Sequence, residues 1–116
     1  MRDFKTLAIW QRSHTLTLKV YKYTRTYAKE KLFGLTSQMR RSASSIPTNI
    51  AEGSGRDSDA EMKRFLVIAR GSASELEYQL ILSHDLAYLS DDAYEELHAE
   101  LNEIQKMIYY FVRNMA

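Results

Sequence analysis

One pattern constrains this chain more than any other. From Met62, the residues Leu66, Ala69, Ala73, Leu76, Leu80, Ser83 and Ala87 follow at alternating spacings of four and three. From Tyr94, the residues Leu97, Leu101, Ile104, Ile108, Phe111 and Met115 do the same. A four-three alternation places every member on one side of an α-helix and is incompatible with the period of two that a strand requires. A second stripe, Phe65, Ile68, Ser72, Gln79, Leu82, Leu86 and Leu89, runs beside the first. A helix with two adjacent stripes is built to be packed on two sides.

The breaks agree. Ser58-Asp59-Ala60-Glu61 is a capping box, in which the serine hydroxyl takes the Glu61 amide and the glutamate reaches back. Ser90-Asp91-Asp92 opens the last helix with acid at its positive end. Gly53-Ser54-Gly55 separates the second and third helices. In the first, Ile9, Trp10, Ser13, Leu16, Thr17, Val20, Tyr23, Thr24 and Tyr27 share a face close to half the cylinder wide. In the second, Leu35, Met39, Ala43, Ile46 and Ile50 keep helical spacing around Pro47, whose ring predicts a kink. Ser42, Ser44 and Ser45 are placed to satisfy the backbone groups that a kink would free. The expected helices cover 7–28, 35–53, 58–89 and 91–115. Connections this short predict an all-α, antiparallel, up-down-up-down four-helix bundle in one domain, 1–116.

Composition narrows the function. There is no cysteine, hence no disulfide framework or thiolate metal site. No apolar run approaches the roughly 18 residues of a membrane span, and the N-terminus lacks a signal-peptide pattern. A cytoplasmic protein is the expectation. His14, His84 and His98 lie on three different helices, and the only Glu-x-x-His pair, Glu95 with His98, is one short of what a di-iron bundle site needs. No nucleophile elbow is present, and Asp57, Asp59 and Glu61 would repel a phosphate from the Gly53–Arg56 turn. No enzyme, cofactor or metal is therefore expected. Asn49, Ser72, Glu75 and Gln79 form a polar layer, read as a buried hydrogen-bond network that fixes register, with Glu75 or Glu52 pairing Arg40 or Arg41.

The formal net charge is only +1, but it is unevenly spread. Residues 1–41 hold ten basic against two acidic side chains, +8, and residues 42–116 hold six against thirteen, −7. Lys19, Lys22, Arg25 and Lys29 interleave with Tyr21, Tyr23 and Tyr27. Basic groups hold phosphates and aromatic rings stack on bases, so these four are the candidate nucleic-acid contacts. The competing explanation is that a basic helix simply neighbours an acidic one. The wide first face and the double stripe of the third helix both fit self-association.

Longer words in the sequence carry a resemblance. Leu7-x-Ile9-Trp10-Gln11-x-Ser13-His14, Phe33-Gly34-Leu35-Thr36-Ser37-Gln38-Met39-Arg40-Arg41, Ser45-Ile46-Pro47-Thr48-Asn49-Ile50-Ala51-Glu52-Gly53, Glu75-Leu76-Glu77-x-Gln79 and Asp85-Leu86-x-Tyr88-Leu89 follow in order. Over nearly its whole length the chain resembles the 23S rRNA intervening-sequence protein family, also called S23 ribosomal or four helix bundle proteins. That resemblance implies a ring-shaped homopentamer of unknown biochemical role. It also implies kinship with the accessory variability determinant of diversity-generating retroelements, a basic pentamer that associates with a reverse transcriptase and nucleic acid. The expected function is a non-enzymatic, homo-oligomeric scaffold whose partners are copies of itself and RNA, DNA or a nucleic-acid-processing protein. The alternative is a protein-interaction ring without nucleic-acid contact.

Overall fold

The computed structural model describes residues 1–28 and 34–115. A 3-10 turn at Phe4–Thr6 leads into four helices: α1 (Ala8–Thr24), α2 (Leu35–Ser54), α3 (Asp59–Asp85) and α4 (Asp91–Arg113). Among the described residues there is no strand. The helices pack in a closed ring: α1 on α2 and α4, and α3 on α2 and α4. Every neighbouring pair is antiparallel, as contacts running in opposite order show. Thr17 and Thr24 of α1 bond to Ala43 and Arg40 of α2. Ser42 and Ser45 of α2 bond to Glu75 and Ser72 of α3. Arg12 and Lys19 of α1 reach Met107 and Glu100 of α4.

The core is where the four-three stripes put it. Met62, Leu66, Ala69, Ala73, Leu76, Leu80 and Ser83 are buried on α3, and Leu97, Leu101, Ile104 and Ile108 on α4. Leu16 and Val20 of α1 and Met39, Ala43, Ile46 and Ile50 of α2 complete it. The second α3 stripe is mixed: Gln79 is buried between the helices, but Ile68 and Leu86 stand 44% and 48% exposed.

Helix ends correct the sequence expectation in two places. α3 stops at Asp85 and does not continue to Leu89. Ala87 takes a left-handed φ of 63°. Its amide donates to the His84 carbonyl and that of Tyr88 to the Ser83 carbonyl, the paired bonds of a Schellman turn. An alanine occupies the place glycine usually fills, so sequence gave no stop signal there. α1 likewise ends at Thr24, short of residue 28; the chain turns, with the Tyr27 amide on the Thr24 carbonyl and the Tyr27 hydroxyl 2.6 Å from that of Ser83. Burial pushes the Tyr27 phenol up, partly opposed by that hydrogen bond.

α2 runs unbroken through Pro47, which is buried. A proline at this position has no N–H for the Ala43 carbonyl four residues earlier. The missing donor comes from the neighbouring helix: the Thr17 hydroxyl lies 3.0 Å from that oxygen and 2.8 Å from the Ser13 carbonyl. The serines expected to do this are engaged elsewhere, Ser42 with Glu75, Ser44 with the Arg41 carbonyl and Ser45 with Ser72. Half the capping box forms. Ser58 Oγ accepts from the Glu61 amide at 3.2 Å, while the Glu61 carboxylate turns to Arg64.

Candidate functional site

α1 lies against α4, the most acidic helix, and that neighbour decides which basic side chains remain free. Lys19 Nζ sits 2.9 Å from Glu96 and 2.6 Å from Glu100. Those hydrogen bonds hold its ammonium well above the ordinary lysine range. The Tyr23 hydroxyl donates a short hydrogen bond to Glu96. That bond and then the Lys19 ammonium lower the Glu96 carboxyl, while the same bond raises the Tyr23 phenol. One of the four candidate phosphate contacts is thus already neutralised within the chain.

Lys22 and Arg25 are exposed and have no carboxylate at ion-pairing distance among the described residues. Lys22 lies over the Tyr23 ring, 5.6 Å from its centre. Lys29 falls outside the described residues. Because α1 and α2 are antiparallel, the start of α2 brings Arg40 and Arg41 to the same end of the bundle. Arg40 donates to Thr24 Oγ1 at 2.9 Å and its guanidinium stands 4.7 Å from the centre of the Tyr21 ring. Neither arginine pairs with Glu75 or Glu52, contrary to expectation: Glu75 accepts from Ser42 at 2.8 Å and Glu52 pairs with Arg56. The result is a basic end carrying Lys22, Arg25, Arg40 and Arg41, with Tyr21 41% exposed among them.

The polar layer exists but is a stripe between α2 and α3. Ser45 and Ser72 hydroxyls meet at 2.7 Å and the Asn49 amide donates to Ser45. On the opposite side of α3, Glu77 lies 3.3 Å from His98, and His84 lies 2.6 Å from Asp91. The Tyr94 ring is stacked between the two imidazoles, with ring centres 4.5 and 5.4 Å away. These contacts tie α3 to α4. Among the described residues no group of three or more His, Asp or Glu side chains could hold a metal ion, and no helix is long and apolar enough to cross a membrane.

One surface went unread in the sequence. Val67, Gly71, Ser74, Tyr78 and Ile81 form a third four-three stripe on α3, facing away from the core. Val67 is 56%, Tyr78 62% and Ile81 39% exposed, with Tyr109 and Tyr110 of α4 also exposed. The spacing was present as a signal, masked by the two more apolar stripes on the same helix. The middle of this stripe is small: nothing lies within 4 Å of a side chain added at Gly71.

A family model for the 23S rRNA-intervening sequence protein matches residues 5–110. The chain belongs to that family. Among solved structures it is similar to a protein of unknown function from the S23 ribosomal protein family of Bacteroides thetaiotaomicron, at 27% identity and a TM-score of 0.83. The match covers 92% of this chain and 100% of that one. No curated protein matches the chain. Membership in the 23S rRNA-intervening sequence family accounts for the ordered words around Arg40–Gly53. Within this family member those words build the α1–α2 contact through Arg40 and Ala43 and the α2–α3 stripe through Ser45, which Asn49 supports from its own helix.

Proposed function

We propose that this chain is a non-catalytic scaffold that assembles with copies of itself into a ring, five-membered as its family resemblance implies. The observation that carries this reading is the exposed Val67–Gly71–Ser74–Tyr78–Ile81 stripe, a helix-packing surface that no helix among the described residues covers. Leu18 and Tyr21 of α1 are also exposed, at 57% and 41%, on a basic helix unlike the acidic α3–α4 half. Two unlike faces favour head-to-tail contact, which closes into rings, over a self-complementary dimer contact. The basic end would then repeat around the ring and offer Lys22 and Arg25 to the phosphates of RNA or DNA in the cytoplasm. The alternative, a ring that contacts only proteins, draws support from the Lys19 clamp, which removes one cation from that face.

Two measurements on the same samples test the proposal. Native mass of Tyr78→Lys with Ile81→Lys should fall to the monomer while helicity is retained; an unchanged oligomer, or a monomeric unmodified chain, removes the α3 stripe as the interface. RNA and DNA binding across a salt series should weaken steeply with salt and further in Lys22→Glu with Arg25→Glu. Absence of binding at low salt by an intact oligomer selects the protein-only ring.

A further inference from the structure

Between α1 and α2 runs a groove of about 400 Å³, separate from the α3 stripe. Pro47, Thr48 and Ala51 of α2 line one side of it, and the other is aromatic. Trp10 stacks on His14 with ring centres 5.0 Å apart and planes inclined by 8°, and the Phe4 ring meets Trp10 edge-on at 5.0 Å. His14 is exposed and takes part in no hydrogen bond or ion pair among the described residues, so one face of its ring is open to a further partner. Apart from the exposed Thr48, the hydroxyls of the groove are already matched: Thr17 with the Ser13 and Ala43 carbonyls, Ser44 with the Arg41 carbonyl. No carboxylate lines it. Between Asp3 and Glu52 the sole acidic residue is Glu30, which falls outside the described residues. Asp3, beside Phe4, is met by Lys5 at 3.9 Å. At its other end the groove runs into the basic end of the bundle. Ser44 is one helical turn, about 5 Å of rise, from Arg40 and Arg41. Arg41 is exposed and in no ion pair among the described residues.

We propose that this groove takes the unpaired bases of a single-stranded nucleic acid whose phosphates lie on the basic end. The inference rests on the nucleic-acid reading above and names the strand form that the site selects. Stacked rings without a carboxylate beside them offer a base a π-face, and unpaired cations one turn away hold the adjoining phosphates. In a duplex the base faces are covered by one another, so a duplex gains only the phosphate contacts. An apolar peptide would gain the rings and leave the neighbouring cations unmatched. The charge and the rings together are complementary to an open strand.

Trp10 is the sole tryptophan, which makes the groove its own reporter. The test is titration of the purified full chain at low salt with labelled oligo(dT) and oligo(U) of about 12 nucleotides and with a DNA duplex of the same length. Affinity is read by anisotropy and stacking by Trp10 fluorescence. The single strands should quench Trp10 and bind about tenfold or more tightly than the duplex. His14→Ala and, separately, Thr48→Glu, both at exposed positions, should weaken single-strand binding about tenfold at unchanged native mass and helicity. Duplex binding should be unmoved by His14→Ala. Equal affinity for the two forms, or single-strand binding that both variants leave unchanged, overturns the groove assignment; the basic end then stands if Lys22→Glu with Arg25→Glu still weakens both forms. Absence of binding to all three probes removes the nucleic-acid reading and this inference with it. A changed native mass in His14→Ala or Thr48→Glu also overturns it, because the groove is then a contact between copies of the chain.

Discussion

Replacing Thr17 by valine keeps the shape of a side chain that is 8% exposed and deletes one hydroxyl. In most helices the loss would be mild, because the Ser13 carbonyl that the hydroxyl also approaches is served by the helix's own amide. Here the Ala43 carbonyl has no alternative donor from position 47, since Pro47 carries no N–H. A buried acceptor left unmatched costs about 1–3 kcal/mol, and about 1.5 kcal/mol is the expected loss for this partly shared bond. With an unfolding entropy near 2.1 cal/mol/K per residue, that corresponds to a fall in Tm of about 6 °C. The informative experiment is a double-mutant cycle with Pro47→Ala, followed by urea unfolding with native mass checked in every sample. Alanine at 47 restores the amide, so Thr17→Val should cost about 0.5 kcal/mol or less in that background, a coupling of about 1 kcal/mol. An equal cost in both backgrounds, or no cost in either, would refute the assignment of Thr17 as the replacement donor.

Three further outcomes follow from local geometry. Gly53→Ala should destabilise by about 1–3 kcal/mol in urea unfolding although alanine is the better helix former, because the added Cβ would stand 2.9 Å from Phe65 Cβ and 3.2 Å from the Met62 carbonyl oxygen. Ala87→Gly should raise stability by up to about 1 kcal/mol, since a left-handed φ of 63° strains any residue with a Cβ; a loss would refute strain at that turn. Glu96→Gln should remove a pH-dependent contribution: the folded carboxyl is lowered by Tyr23 and Lys19, so its stabilisation is present above its ordinary range and lost as pH falls through the folded value. The gap in Tm between the parent and the variant should therefore narrow as pH falls below the ordinary carboxyl range and close once pH is below the lowered folded value, and a gap that does not narrow in acid would contradict the linkage.

The helices were legible because burial of a helical face leaves a periodic record, and α3 and α4 keep that record through Met62–Leu80 and Leu97–Ile108. The α3 terminus was not, because the turn that ends it uses Ala87 in a conformation that glycine usually announces. The remedy for Pro47 was not, because its donor, Thr17, is remote in sequence and adjacent only once α1 and α2 are packed. At the candidate site, the basic residues were named from sequence, but their availability depends on a neighbour. Lys19 and Lys22 look alike in the chain, and only the position of Glu96 and Glu100 separates a clamped ammonium from an exposed one. The outward stripe of α3 was written in the same spacing as its core and was hidden by it.

The α2–α3 pair is the most extensively packed in the molecule, with Ser45 against Ser72 and Gly53 against Phe65. α4 buries Leu97, Leu101, Ile104 and Ile108 in the same core but packs less extensively on either neighbour, and its polar ties, Lys19 from α1 and Glu77–His98 and His84–Asp91 with α3, lie near the surface. The α2–α3 hairpin tolerates little enlargement, and its amides should be among the last to exchange with solvent in a native-state hydrogen-exchange experiment. Substitution of the exposed charges of α4 would therefore change the character of this protein's surface at little cost to its packing, whereas enlarging the small residues between α2 and α3 would not be absorbed.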